Sequence, residues 1–562
     1  MGALPFVRYE VHAPQDVHGR PSRKAILLPG LTNFFSAGIL YKMVLEFLAS
    51  LGEALSACQW QRMSSQTRRI LEKLCQRIQE LTKELARLKK ELARLKDENE
   101  DLQEKLGSNS SNSSKPPSSD SGRKPQRRTR RQASGRKRGG QPGHPGHSRE
   151  LVDSAKCRKV EDHYPEQCNH CGSFDLADEG GSPYRHQVFE IPPIDLLIDE
   201  YRLHSCRCLD CGECTRADLP DGVSWEGYGP RLTALIVVLG SFFRASYRMT
   251  QAFVFDLFGL EIALGTIRKM RHRLSEAVVG VVKEAKRHVQ ASEVVHADET
   301  SYRQGNADGE NPENRGGWLW VIATPLVAYF EIHLYRTAEV AKELLGKNFV
   351  GILSSDRYGG YTWVDSSRRQ LCWAHLTRNF YKMADRHGVS GKIGRDLVEC
   401  THRLFHEWHR VRDGAILFST FRTYSGRIRR EIREILQKGV SYAPKKGEKS
   451  ARAKTSRSCA EILALEPAMW LFARREGIEP TNNLAEQLLR FAVLWRRVSQ
   501  GTKSRHGSLF VGRLLTVIET LRLQERNVLE YLTEACQAAR AGMDPTSLLP
   551  RQGTLGHSVG DK

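Results

Sequence analysis

The chain has 562 residues, 86 Lys+Arg against 65 Asp+Glu for a formal net charge of +21, and 13 Cys. That length suits about three to five domains with ample core. A hydrophobic content of 40% beside 27% charged residues excludes a mainly disordered or fibrous chain. The basic balance makes a polyanion the first partner to expect. The most apolar stretch, Ala25 to Tyr41, is uncharged for only 17 residues and contains Pro29 and Gly30, short of the ~20 a membrane span needs. No membrane partner and no secretory leader are expected, so the cysteines read as reduced thiols or metal ligands in a cytoplasmic protein.

Residues 1–62 show no usable periodicity and are read as an N-terminal extension of unknown role, with Met63 close to the functional start. Over residues 63–106, Leu74, Leu81, Leu88, Leu95 and Leu102 recur every seven residues, with Leu71, Ile78, Leu85, Leu92, Asn99 and Leu106 at the companion position. This heptad pattern predicts a leucine-zipper coiled coil and a homo-oligomer, a dimer first. Glu84 with Lys89 and Glu91 with Lys96 have interhelical spacing, and the polar Asn99 suits a register-fixing role. The alternative is a single amphipathic helix lying on its own domain.

Residues 107–150 form a flexible linker, Gly/Ser/Asn-rich and then basic. Arg123 to Arg138 holds nine Lys/Arg in 16 residues with no acid. Arg127, Arg128, Arg130 and Arg131 are therefore candidates for phosphate contacts. In residues 151–220 two knuckles recur, Cys168-Asn169-His170-Cys171-Gly172 and Cys208-Leu209-Asp210-Cys211-Gly212. Cys168, Cys171, Cys208 and Cys211 offer four soft ligands for a structural Zn²⁺, with Cys206 and Cys214 as alternative ligands. The runs Gln187 to Ile191 and Leu196 to Ile198 read as strands. Residues 221–290 read as helical, with a possible helix-turn-helix whose second helix, near Gly265 to Arg271, is basic.

Residues 291–500 carry the acids. Val294 to Thr300 reads as a buried strand holding Asp298; two further apolar runs, a helix near Thr337 to Leu345, and a strand Gly351 to Ser355 ending in Asp356 follow. If the first and fourth strands are neighbours, Asp298 and Asp356 meet. Glu486 lies on a helix opened by Thr481-Asn482-Asn483. Three converging carboxylates need a hard divalent cation, Mg²⁺ or Mn²⁺, with open coordination positions. Two such ions about 3.5–4 Å apart suit phosphodiester displacement. Residues from about 380 to 475 read as a helical, basic insertion, and residues 501–562 as a C-terminal helical region.

Taken together, the motifs resemble the insertion-sequence-66 family of DDE transposases. They are Asn112-Ser113-Ser114-Lys115-Pro116-Pro117-Ser118-Ser119-Asp120, Gly140-Gln141-Pro142-Gly143-His144, both knuckles, His296-Ala297-Asp298-Glu299-Thr300, Asp356-Arg357-Tyr358-Gly359-Gly360-Tyr361, Cys372-Trp373-Ala374-His375-Leu376-x-Arg378 and Thr481-Asn482-Asn483-x-x-Glu486. The resemblance spans roughly residues 64–540. It implies an α/β, ribonuclease-H-like catalytic core with a helical insertion, preceded by the coiled coil, the basic linker and a zinc-ribbon-like domain. It also implies Asp298, Asp356 and Glu486 as the metal-binding triad of a bacterial insertion-sequence transposase. Such an enzyme binds the terminal repeats of its element, cleaves DNA and joins it to target DNA, with small accessory proteins of the same element as possible partners. When bound to DNA it would be nucleoid-associated. His375, Arg378 and the retained Arg490 are expected near DNA, while Gln487 stands where family members often have a basic residue. Two alternatives are a catalytically inactive DNA-binding protein or regulator derived from a transposase, and a structure-selective ribonuclease-H-like nuclease.

Overall fold

The structure, a computed structural model, describes residues 63–109, 112–113, 149–178, 180–223 and 225–550. The extension 1–62 and the candidate phosphate contacts Arg127, Arg128, Arg130 and Arg131 lie outside these residues. Two units divide the chain, Met1–Lys96 and Asp97–Lys562.

Helix α1, Ser65–Gly107, realises the heptad segment. Ser64 caps it, its hydroxyl accepting from the Thr67 amide at 3.2 Å, and no proline or glycine interrupts it before its end. Leu74, Leu81, Leu88, Leu92, Leu95 and Leu102 are all exposed. The apolar stripe that the sequence pattern puts on one face is thus uncovered in the single chain.

The cysteine-rich segment is mostly irregular, with one short hairpin of β1, Ser205–Arg207, and β2, Cys214–Arg216. The expected strands at Gln187 to Ile191 and Leu196 to Ile198 do not form. Val188, Phe189, Ile191, Leu197 and Ile198 are all exposed. An apolar run becomes a strand only where another strand takes up its backbone groups, and none lies beside these.

Four helices follow: α2, Pro230–Ser241; α3, Tyr247–Phe258; α4, Leu264–Ala277; and α5, Val279–Gln290. Gly259 ends α3 in the left-handed region at φ 63°, where a Cβ would be unfavourable. Ile236, Val254, Ile262, Ile267 and Met270 form a small core between α2, α3 and α4.

The central sheet comprises β3, Val294–Ser301; β4, Trp318–Ala323; β5, Ala328–His333; β6, Ile352–Ser355; and β7, Arg369–Leu371. Its order is β5-β4-β3-β6-β7. β5, β4 and β3 pair antiparallel with one another in that order, and β6 and β7 run parallel to β3. Between β5 and β6 lies α6, Ala338–Leu345, capped by the Thr337 hydroxyl; such a crossover lets β6 return parallel to β3. Strand β7 was not among the expected elements.

Beyond β7 come α7, Trp373–Ala384; α8, Gly388–Arg412; α9, Phe418–Val440; α10, Ala451–Ala464; and the short α11, Glu466–Met469, and α12, Leu471–Arg474. They enclose their own core around Trp373, Phe380, Phe421, Trp470 and Phe472. The chain re-enters the sheet layer with α13, Asn483–Ser499, then α14, Arg505–Leu523, and α15, Val528–Arg540. All three helices supply residues to the same core as the sheet. Helix α14 also covers the edge strand: Thr516 and Thr520 hydroxyls accept from the Phe330 and Ala328 amides at 2.9 and 3.1 Å. That pairing blunts an edge that would otherwise offer unpaired backbone groups.

Candidate active site

The parallel register decides where the acids go. His296 pairs with Ser354, and Ser355 with Leu371. Carried past the ladder ends, the same offsets set Asp298 level with Asp356 and Asp356 level with Cys372. The Cys372 amide donates to the Ser355 carbonyl at 2.9 Å, continuing the ladder. The expectation that the first and fourth strands are neighbours is met, and the row Asp298, Asp356, Cys372 crosses the sheet where β6 and β7 end while β3 runs on to Ser301.

Glu486 approaches from α13, which packs on β3 and β4, near enough to raise the Asp298 pKa, while the carboxylate oxygens of Asp298, Asp356 and Glu486 are not all within 4.8 Å of one another. Asn482 anchors the start of that helix. Its Nδ2 donates to the Ala297 carbonyl at 2.8 Å, and its Oδ1 lies 3.0 Å from His296 Nδ1. Because Oδ1 can only accept, His296 carries its proton on Nδ1. Burial pushes the His296 pKa down, with the Asn482 bond opposing that, in keeping with a neutral ring. The Asn482 amide also points to Cys372 Sγ at 3.3 Å, and its carbonyl accepts from the Glu486 amide at 3.2 Å.

Asp298 is half-buried. Burial and the charges of Glu299, Asp356 and Glu486 raise its pKa well above the usual carboxylate range, against the lowering effect of the Glu299 amide bonded to its Oδ1. Such a shift marks negative charge with too little compensation, the condition a divalent cation relieves. Asp356 Oδ1 accepts from the Tyr358 amide at 2.8 Å. Its carbonyl accepts from the buried Arg369 guanidinium at 3.2 Å.

Adjacent residues on a strand face opposite ways, so Glu299 leads away from Asp298. It is nearly inaccessible and pairs with Arg336 (2.9 Å to Nε) and the Tyr361 hydroxyl (2.7 Å). Burial and Asp356 push its pKa up, while Tyr361 and Arg336 pull it down. Arg336 stacks 3.9 Å from the Tyr358 ring centroid, and the Tyr358 hydroxyl donates to the Arg336 carbonyl at 2.6 Å. This buried network braces the turn that carries Asp356.

His375 and Arg378, expected near DNA, face Glu486. His375 Nδ1 is 3.4 Å from Glu486 Oε1, and Arg378 Nη2 is 3.8 Å from Oε2. The Cys372 thiol lies 3.5 Å from Oε1; burial and Glu486 push its pKa up to about 12, so it stays protonated and can donate. Arg378 Nη1 sits 3.3 Å from His375 Nε2. A guanidinium only donates, so Nε2 accepts and the ring proton sits on Nδ1, which is buried and makes no hydrogen bond at 3.4 Å from Glu486. Cys372, His375 and Glu486 are close enough to share a cation, but this tautomer makes Nδ1 a donor rather than a ligand. The hard oxygen set Asp298, Asp356 and Glu486 fits Mg²⁺ or Mn²⁺ better.

Arg490 is exposed, one turn beyond Glu486 on α13. The two knuckles are near copies. The Gly172 and Gly212 amides return to the Cys168 and Cys208 carbonyls at 2.8 and 3.0 Å, and both glycines hold φ 76°. Backbone amides within each turn, those of Cys171 and His170 and of Cys211 and Asp210, lower the pKa of Cys168 and Cys208. Among the described residues the four sulfurs are not gathered within one coordination sphere. The eleven described cysteines are free thiols, and no described helix is long and apolar enough to cross a membrane.

Sequence reasoning missed Arg369, Asn482, Glu299 and Arg336 as site-shaping residues. Asn482 and Glu299 stood inside quoted motifs, but only the sheet register gives them partners.

Known proteins place this site in a lineage. Residues 63–150 match a family of unknown function. An uncharacterized protein, y4hP, from Sinorhizobium fredii (strain NBRC 101917 / NGR234) is 26% identical over 407 residues, covering 66% of this chain and 70% of its own. The family model for the IS66 transposases matches residues 227–509, half of the chain and all three site acids. The chain therefore belongs to the IS66 transposase family.

Proposed function

We propose that the protein is a DDE-type transposase with a ribonuclease-H-like core, binding the terminal repeats of its insertion sequence, cleaving there and joining the ends to target DNA. The observation that supports the proposal is the parallel pairing of His296 with Ser354, whose offset carried two residues on puts Asp298 level with Asp356, with Glu486 near enough on α13 to raise the Asp298 pKa. The mixed sheet, three antiparallel strands followed by two parallel ones, supports the core assignment.

Asp298, Asp356 and Glu486 would hold Mg²⁺ or Mn²⁺. When bound, the ions supply activation of the attacking oxygen and stabilisation of the leaving one. The chain's own part is positional. Tyr358 and Arg369 fix the Asp356 backbone, and Cys372, His375 and Arg378 orient the Glu486 carboxylate. Exposed Arg490, Arg268 and Lys269 and the basic linker supply phosphate contacts. Domain roles follow the sequence: coiled coil over 63–106, linker over 107–150, zinc-binding unit over 151–220, helix-turn-helix region over 221–290, catalytic domain over 291–500 and C-terminal helices beyond. Zn²⁺ on Cys168, Cys171, Cys208 and Cys211 would draw the two knuckles together. The exposed leucines of α1 support dimerisation, and the protein would work in the bacterial cytoplasm.

The test is the purified full chain with an end-labelled terminal-repeat duplex, an unlabelled target and Mg²⁺. Joined product is expected. Cleavage without joining would indicate a nuclease, and binding without reaction a DNA-binding derivative.

A further inference from the structure

The end of α1 is acidic, and it is met by cations from the helical insertion. Glu104 lies 3.2 Å from Lys382 Nζ, 3.1 Å from Arg386 Nη2 and 3.0 Å from Lys454 Nζ; Asp101 lies 2.7 Å from the same lysine. Burial would raise the Glu104 pKa, but Lys454, Arg386 and Lys382 hold it down to about 2. Three cations, from α7, the turn after it and α10, converging on one carboxylate is the arrangement with which proteins grip a phosphate.

These cations end a longer stripe. His375, Arg378, Lys382 and Arg386 fall at intervals of 3, 4 and 4 residues, which places them along one face of α7 and just past its end. At 1.5 Å per residue the stripe runs about 16 Å from His375 to Arg386. No acid lies within α7. One end of the stripe touches Glu486 and the other touches Glu104.

Polar contacts dominate what is seen at the α1 end. Leu102 and Leu106 remain exposed, and a further tie is Asn112 Nδ2 to Asp385 Oδ2 at 3.0 Å. Side chains in this contact are 8–42% exposed, and a phosphate pairs with the same cations as a carboxylate does, so a polyanion can exchange for the two acids. The stripe begins at the acid that the proposed reaction uses, which favours duplex DNA over other polyanions.

Building on the transposase assignment, we propose that Lys382, Arg386 and Lys454 form a DNA-backbone surface continuous with the active site, and that Asp101 and Glu104 occupy it in place of phosphates. DNA laid along α7 displaces the acidic end of α1. The cover then keeps unrelated DNA from the site until the correct ends, held elsewhere on the chain, raise the local phosphate concentration.

The experiment measures binding of the full chain to a fluorescent duplex of unrelated sequence across a salt series. Compared are wild type, Asp101→Asn with Glu104→Gln, Lys382→Gln, and the triple combination. The acid-neutralised variant is expected to bind about tenfold tighter, with a salt slope steeper by up to about three units. Lys382→Gln should change affinity less than about twofold in the wild-type chain, where Glu104 is paired with that lysine, and several-fold in the acid-neutralised chain. Equal effects of Lys382→Gln in both backgrounds would overturn the proposal, as would unchanged affinity in an acid-neutralised variant that keeps its circular dichroism. Absence of DNA binding by every variant would instead remove the transposase assignment on which it rests.

Discussion

Asn482 Oδ1 stands 3.0 Å from His296 Nδ1, locking the start of the Glu486 helix to the strand that bears Asp298. The same side chain donates to the Ala297 carbonyl. Two segments 186 residues apart are joined there by fully buried polar groups, which are costly to leave unpaired.

Asn482→Ala should therefore destabilise the protein by about 2–4 kcal/mol, since His296 and the Ala297 carbonyl both lose their partner. Calorimetric Tm is the check, with circular dichroism confirming that the variant folds. An unchanged Tm would mean that solvent replaces both bonds.

The crowded acids predict a pH signature in metal-free protein. The pKa of Asp298 is raised by burial and by Glu299, Asp356 and Glu486, and that of Glu299 by burial and Asp356. A carboxyl with a raised folded-state pKa keeps its proton where the unfolded chain has lost it. Its contribution is full below the ordinary values of 3.8 and 4.5 and is lost as pH rises through the folded value. In EDTA, Tm should fall as pH rises above the ordinary carboxylate range, Mg²⁺ should recover more at the higher pH, and Asp298→Asn should flatten the profile. A Tm indifferent to Mg²⁺ at pH 8 would contradict cation binding by the triad.

The paired knuckles predict about one tightly held zinc per chain. Emission spectrometry on protein purified without chelator should show it. Cys168→Ser with Cys211→Ser should lose it, and full retention would assign the metal elsewhere.

The uncovered leucines of α1 predict a homo-oligomer. Leu81, Leu88 and Leu95 are each close to half-exposed, at 47%, 53% and 50%, a cost that a second helix removes. Changing all three to Gln should reduce the sedimentation mass to that of one chain. An identical mass before and after would exclude a coiled-coil interface.

Much of the acid arrangement was legible in the sequence because buried strands announce themselves. Val294 to Ala297, apart from His296, and Ile352 to Ser355 are apolar or small and are followed by Asp298 or Asp356, and a helix between them allows parallel pairing. Strand β7 was not legible: Arg369-Gln370-Leu371 is short and polar, and it is buried only because the insertion closes over it. The reverse error occurred at Val188, Phe189 and Ile191, whose β propensity finds no partner strand. The resemblance implied His375 and Arg378 close to the site, orienting DNA phosphate or a ligand. That they face Glu486 depends on how α7 leaves β7, which no local pattern encodes.

The most direct test of the account sets gel-shift affinity for terminal-repeat DNA beside single-turnover cleavage in Mg²⁺, for wild type, Asp298→Asn, Asp356→Asn and Glu486→Gln. Affinity should come from Lys and Arg neutralising phosphates, whereas the acids serve by holding the cations. Each variant should bind as tightly as wild type or slightly tighter and cleave at least about a thousandfold more slowly, a loss of about 4 kcal/mol in barrier lowering. Wild-type cleavage by Asp356→Asn would contradict the assignment of the triad.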